Sequence, residues 1–251
     1  MSRRFGLLSL LLRAWRRPAL EPIPRLVHLF WTPPKGHSAA LPEEIARHIS
    51  EWQRLHPAYL VHVWSLDDVR ALSDQIGDIP IWQSVLACRF EAMQSDIARL
   101  AILYELGGFY SDLKNLPLRP FLDHLVDRKC AVVPEHQPTI ELYQGRPSNS
   151  FLAAPPRHDF IRMYLDLACT NVTNRLAGNV IDVTGNSVLQ LAMEQFRRFW
   201  RRDLYFVPSV VVWGPKGGSG GWMRRTSASY NKENLTAHWS VRQKHEPMYV
   251  G

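Results

Sequence analysis

Apolar positions along this chain form short continuous runs that alternate with amphipathic stretches. "IPRLVHLFW", Ile23 to Trp31, is an apolar run of strand length, and the prolines and glycine of "TPPKGHSAALP" end it. Beyond Pro42, the residues Ile45, Ile49 and Trp52 recur at helical spacing as far as His56-Pro57. "YLVHVWS" then reads as a second strand and "LDDVRALSDQIGD" as a short helix. This β-α-β-α opening predicts a parallel sheet covered by helices.

From "IPIWQSVLACRF" the chain enters its longest helical pattern, "CRFEAMQSDIARLAILYEL", in which Phe90, Met93, Ile97, Leu100, Ala101 and Tyr104 share a face. Gly107 is placed as its cap, because glycine takes a left-handed backbone without a steric penalty. A very short strand, "FYSD", follows directly. Later come strands at "KCAVVPE" and "NSFLAAP", helices from Asp159 to Leu176 and from Gly185 to Arg201, and the β-rich "LYFVPSVVVWG". The closing "PKGGSGGWMRRTSASYNKENLTAHWS" is rich in glycine and serine and is expected to be mobile. No repeat and no domain-sized linker interrupts this order. The expectation is an α/β fold with one domain over residues 21–251 and an appendage over residues 1–20.

Composition narrows the class. Hydrophobic residues make up 46% of 251, with 9 tryptophans, which suits a folded domain with aromatic-lined clefts rather than a disordered chain. The formal net charge of +7 favours anionic partners. It is unevenly spread, since Arg3, Arg4, Arg13, Arg16 and Arg17 all precede the first acid, Glu21. The apolar run between them, Phe5 to Leu12, is too short for a bilayer span of roughly 20 residues. Arginines also follow it where a secretory signal would place small residues. Two readings stay open for this leader: a basic amphipathic helix on an anionic membrane surface, or a solvated helix packed on the domain.

Three cysteines, Cys88, Cys130 and Cys169, lack paired zinc spacing and are odd in number, which favours a reducing compartment. The expected location is therefore cytoplasmic, with peripheral membrane contact through the leader. Sequons at Asn171 and Asn234 carry little weight without a secretory signal.

Candidate chemistry centres on two places. Asp96 and Arg99 stand three apart on the long helix and so share a side. Asp96 interrupts the apolar stripe between Met93 and Ile97, where a charge needs partners; such a pair is either a local brace or a ligand site. Asp112 ends the strand after Gly107-Gly108, and open α/β sheets bind ligands beyond the carboxyl ends of their strands. An isolated acid there is otherwise a turn residue.

"SDIARLAILYELGGFYSDLKNLPLRP", Ser95 to Pro120, resembles the core of the sugar-transferase family that carries an Asp-x-Asp motif, a group related to yeast initiating mannosyltransferases and more remotely to large clostridial glucosylating toxins. "IPRLVHLFW", "NSFLAAPPRHDF", "DVTGNSVLQLA" and "TAHW" are similar to other family segments, in the same order. The resemblance implies a GT-A fold: a Rossmann-type, mostly parallel sheet flanked by helices. It also implies transfer of a sugar from a nucleotide-diphosphate donor, a UDP- or GDP-sugar, to a glycan, lipid-linked or cell-surface acceptor, usually with retention.

Carried over position by position, the resemblance places Phe30 and Trp31 beside the nucleotide base, Asp96 on the nucleoside or donor sugar, and Arg99 near the diphosphate or sugar. Asp112 matches the first aspartate of the motif, Asn149 and Asn186 line the donor site, and His238 joins the metal or diphosphate. Lys114 departs from the pattern, standing where the second aspartate coordinates Mn²⁺ in the family. An ammonium can neutralise diphosphate charge as a metal does. Either Lys114 weakens or replaces the need for Mn²⁺ or Mg²⁺, or Asp112 and His238 still hold an ion.

The run Gly217 to Gly221 suits a lid hinge or an ordinary loop, and Trp213 and Trp222 beside it suit sugar stacking or a core. The competing functions are a catalytically lapsed nucleotide-sugar binder and a basic nucleic-acid-binding protein. No nucleic-acid partner is expected, because the basic residues cluster at one terminus and no recognised motif accompanies them.

Overall fold

The structure is a computed structural model and describes residues 21–33, 40–134, 147–198, 204–207, 211–213, 221–226 and 238–251. The leader over 1–20, Gly217 to Gly220 of the glycine run and the Asn234 sequon lie outside the described residues.

The chain opens with β1 (Leu26–Phe30), α1 (Glu43–Leu55), β2 (Leu60–Trp64) and α2 (Leu66–Ile76), the order expected from its apolar pattern. Ser65 and Asp68 close a reciprocal capping box that starts α2, so two backbone N–H groups of its first turn are satisfied locally. The long helical pattern is divided. A separate α3 (Ile81–Ala87) precedes α4 (Glu91–Leu106), because Cys88 is extended and pairs as a β-bridge with Tyr249 near the C-terminus. Cys88 and Cys169 are both buried. Then follow β3 (Gly108–Ser111), β4 (Asn115–Pro117), β5 (Ala131–Pro134), β6 (Phe151–Ala154), α5 (Asp159–Thr173), α6 (Val180–Val183), α7 (Asn186–Arg197), β7 (Leu204–Val207), β8 (Val211–Trp213), β9 (Met223–Arg225) and α8 (Trp239–Arg242).

The main sheet runs β2-β1-β3-β6-β5-β7. β1 lies parallel to β2 and β3, and β5 parallel to β7; β6 alone runs against its neighbours β3 and β5. All four residues of β6 are buried, so its apolar run carries no trace of its direction. A second, three-stranded sheet, β4-β9-β8, stands beside the end of β3. β9 lies within the segment expected to be mobile. It is held there by antiparallel pairing of Asn115 with Arg225 and Pro117 with Met223.

Side chains alternate across the main sheet. Val27, Leu29, Phe109, Phe151 and Ala153 face a core with Trp52 and Phe121, while Tyr110, Leu152 and Ala154 face the core formed by α4, α5 and α7. α4 is buried on nearly every side, which is why its polar residues are available only to one another and to whatever the fold brings to them.

Two glycines turn α4 into β3. Gly107 and Gly108 have φ of 64° and 98°, conformations that suit residues without a Cβ. A Cβ on Gly107 would stand 2.6 Å from the backbone nitrogen of Pro156, and one on Gly108 would stand 2.8 Å from the carbonyl oxygen of Leu26. The chain passes between β1 and β6 only because these positions are bare.

His28 fixes the same junction. The Gly107 carbonyl lies 2.8 Å from its Nε2, and the indole N–H of Trp64 donates to its Nδ1 at 3.1 Å. This assignment makes His28 the neutral tautomer with hydrogen on Nε2, because Nδ1 must accept. Burial pushes its pKa from 6.5 down to about 4. The folded state therefore binds fewer protons than the unfolded state, and the stabilisation is complete above pH 6.5 and lost as pH falls toward 4. Urea denaturation should show a loss of about 3 kcal/mol from this residue across that window, with a flatter pH dependence in His28→Gln. An identical slope in wild type and variant would show that His28 does not couple folding to protons.

Candidate functional site

Five parts of the main fold meet at one place. The carboxyl ends of β1 and β3 deliver Phe30, Trp31 and Asp112, while the entry to the antiparallel β6 delivers Ser148, Asn149 and Ser150. The first half of α4 contributes Ser95, Asp96 and Arg99, and the α6–α7 junction contributes Gly185 and Asn186. The small sheet and the C-terminal segment add Lys114, Arg225, His238 and Trp239. Together they line a cavity of ≈ 190 Å³. All nine residues singled out in the sequence as catalytic, donor-binding or metal-binding lie in this lining.

At its floor is a buried ion triad. Arg99 Nη2 stands 3.0 Å from Asp96 Oδ1 and 3.4 Å from Asp112 Oδ1. Arg99 also donates through Nε to the Ser95 carbonyl at 3.2 Å and through Nη1 to the Asn149 carbonyl, and its guanidinium lies 4.8 Å from the centre of the Tyr110 ring. Asp96 is nearly fully saturated: Asn149 Nδ2 donates to Oδ1 at 2.9 Å and Thr184 Oγ1 to Oδ2 at 2.9 Å. Burial raises its pKa to about 6, against the opposing pull of Arg99 and of these hydrogen bonds. Tyr164 closes the network from α5, accepting from Asn149 Nδ2 at 3.3 Å and lying 3.0 Å from the Gly185 carbonyl to which its hydroxyl donates.

Asp112 is held by its backbone, whose N–H donates to the Ser150 carbonyl at 2.8 Å and whose carbonyl accepts from Asn115 N at 2.9 Å. Its side chain is open to the cavity. Arg225 Nη1 meets Oδ2 at 3.0 Å, while Arg99 faces Oδ1. Lys114 lies close by, and burial followed by repulsion from Arg225 lowers its pKa to about 8. His238 is lowered to about 4 by burial and then by the positive charges of Lys114 and Arg225. Its Nδ1 is engaged at 2.7 Å with Ser240 Oγ at the start of α8.

This donor set does not fit a divalent cation. Each oxygen of Asp112 already faces a guanidinium, and Lys114 brings positive charge where the family motif brings a second carboxylate. Among the described residues no three of His, Cys, Asp or Glu gather around a point where an ion would sit. The expected metal pair of Asp112 and His238 thus meets an electropositive surrounding.

Sequence reasoning missed Arg225, Thr184 and Tyr164. Arg225 gave no local signal, because its role depends on β9 pairing with a strand more than a hundred residues earlier. Thr184 was visible only as part of a Thr-Gly segment. Of the two roles weighed for Trp222, ligand stacking or a core, the structure shows the core: it stacks on Phe121 at 5.0 Å.

Residues 42–132 match the family described as "Glycosyltransferase sugar-binding region containing DXD motif". The matched region lies within a chain whose mixed α/β fold, with a mostly parallel sheet flanked by helices, is of the GT-A type. Among curated proteins it is 25% identical over 147 residues to inositol phosphoceramide mannosyltransferase 1 of Schizosaccharomyces pombe, covering 57% of this chain. The chain spans 41% of that relative's length. Among solved structures it is similar to PaToxG glycosyltransferase, with a TM-score of 0.54, 18% identity and coverage of 76% of this chain and 75% of that one. The UDP-bound glycosyltransferase domain of the YGT toxin matches with a TM-score of 0.52, 11% identity and coverage of 74% and 80% respectively. These likenesses establish the fold.

Removing the shared cation of the triad leaves the buried Asp96 without its ion-pair partner, beside a second carboxylate. Arg99→Leu is expected to destabilise the protein by about 3–5 kcal/mol in chemical denaturation, with partial recovery when Asp96→Asn is added. Equal stability of Arg99→Leu and wild type would rule out the triad as a structural determinant.

Proposed function

We propose that this protein transfers a sugar from a nucleotide-diphosphate sugar to a glycan or lipid-linked acceptor, with retention of anomeric configuration. The observation that carries this reading is the convergence of Asp96, Arg99, Asp112, Lys114, Asn149 and Asn186 with Phe30 and Trp31 in one cavity at the carboxyl ends of β1 and β3. The matched sugar-binding region supports it. The curated relative is by its name a mannosyltransferase acting on a lipid, which favours a lipid-linked acceptor, and one structural neighbour holds UDP.

In this reading Phe30 and Trp31 flank the base, and Asp96 and Asn149 hold hydroxyls of the donor sugar. Asp112 faces the ribose or sugar, and Asn186 lines the donor site beside Gly185. Lys114 lies where the departing diphosphate accumulates charge, and its ammonium supplies the electrostatic stabilisation that the second aspartate supplies through a metal in the family. No helix among the described residues is long and apolar enough to cross a membrane. Contact with a membrane-borne acceptor would then fall to the surface, and the arginine-rich leader is the segment suited to anionic lipid.

The lysine also favours one competing reading, a binder of nucleotide sugars that has lost turnover. Incubation with UDP- and GDP-sugars in EDTA, followed by detection of released nucleoside diphosphate, tests both. Turnover should persist in chelator and fall about 10²- to 10³-fold in kcat for Lys114→Ala. Abolition by EDTA with recovery on adding Mn²⁺ would overturn the metal-independent version. Donor binding without turnover would favour the lapsed enzyme.

A further inference from the structure

Arg225 enters the site from outside every segment that first pointed to it, and its backbone is tightly fixed. β9 pairs with β4 through three residues, Thr226 N donates to the Lys114 carbonyl at 2.9 Å, and Leu118 N donates to the Trp222 carbonyl at 2.9 Å. Met223 is fully buried, and the adjoining Trp222 stacks on Phe121. The small sheet therefore holds Arg225, on β9, close to Lys114, the residue just before β4, with both residues in the cavity lining.

The contacts of Arg225 with Asp112 differ from those of Arg99. The Arg225 pair with Asp112 is partly solvated, with 19% of the Arg225 side chain and 21% of the Asp112 side chain exposed. Asp112 has a second guanidinium partner in Arg99, at 3.4 Å, so it stays paired if Arg225 turns away. Arg99 cannot make the same exchange. It is almost wholly buried and bound to Ser95, Asp96 and Asn149 besides. Lys114 and Arg225 crowd one region with like charge, and a dianionic group between them would relieve that repulsion.

We infer that Arg225 is a diphosphate-binding residue: when donor enters, its guanidinium leaves Asp112 and grips phosphate oxygens alongside Lys114, while Asp112 remains with Arg99. The inference rests on the nucleotide-sugar reading above. It assigns charge neutralisation on the diphosphate to two side-chain cations from one small sheet. A guanidinium suits this position better than a second ammonium, because its planar fork meets two phosphate oxygens at once. No bond is made or broken in the exchange. One ion pair gives way to another.

The test is titration of the full chain, in EDTA, with UDP and GDP, with the corresponding monophosphates and nucleosides, and with inorganic pyrophosphate as competitor. Wild type should bind a diphosphate more tightly than its nucleoside, and pyrophosphate should displace it. Arg225→Gln should lose about 10- to 100-fold in diphosphate affinity with nucleoside affinity little changed. Arg225→Lys should recover part of that loss and keeps the comparison available if the glutamine variant folds poorly. Arg224→Gln, altering the neighbouring position on β9, should leave the diphosphate-to-nucleoside ratio unaltered. An unaltered ratio in both Arg225 variants, beside normal binding in wild type, overturns the inference alone and leaves Arg225 as a brace for Asp112. A wild type that binds none of the nucleotides overturns the glycosyltransferase reading and this inference with it.

Discussion

The site depends on one buried guanidinium. Arg99 stands between Asp96 and Asp112, two acids delivered by different elements, and binds the Asn149 backbone from a third. Burying Asp96 beside a second, partly solvated carboxylate costs far more than its hydrogen bonds return unless a cation lies between them. With Arg99 in place the end of β3, the entry to β6 and the first turns of α4 become one electrostatic unit. Asp96 then spends its oxygens on Asn149 and Thr184, which ties the α6–α7 junction to the same point.

Above that floor the balance of charge reverses. Lys114, Arg225 and His238 share a region with Asp112; burial and then Arg225 lower the proton affinity of Lys114, and burial and then both cations lower that of His238. On the proposed reading the floor, where Asp112 is partly exposed beside Asn149 and Asn186, takes the sugar. A wall of closely spaced cations suits a diphosphate. On the proposed reading this division serves a donor whose bond to be broken joins those two parts, with side-chain cations opposing the diphosphate charge.

Much of the fold was legible because its elements are short and their periods clear. Strands β1, β2 and β3 and helices α1, α2 and α5 lie where apolar runs and helical spacing put them. The break at Cys88 was not legible, since it is made by pairing with Tyr249 from the far end of the chain. Nor was the direction of β6, because a strand buried on both faces shows the same apolar run whichever way it runs. Among site residues, those inside recognisable segments could be named beforehand. Arg225 could not, because "MRR" in a glycine- and serine-rich stretch has no period and no motif.

What the sequence determined by itself was the set of parts: a Gly-Gly turn ending in Asp112, an acid set into the apolar stripe of a helix, and a lysine in place of a second acid. These follow from local rules, since glycine alone tolerates the backbone at 107 and 108 and a charge on a buried stripe demands a partner. Only the tertiary structure decided which groups became partners. Asp112 meets Arg99 across the α4–β3 turn and Arg225 across the small sheet, and Asp96 meets Thr184 from 88 positions away. Coulomb energy and hydrogen bonding act over a few ångströms of space rather than along the chain, so the charge balance of the site exists only once the strands have paired.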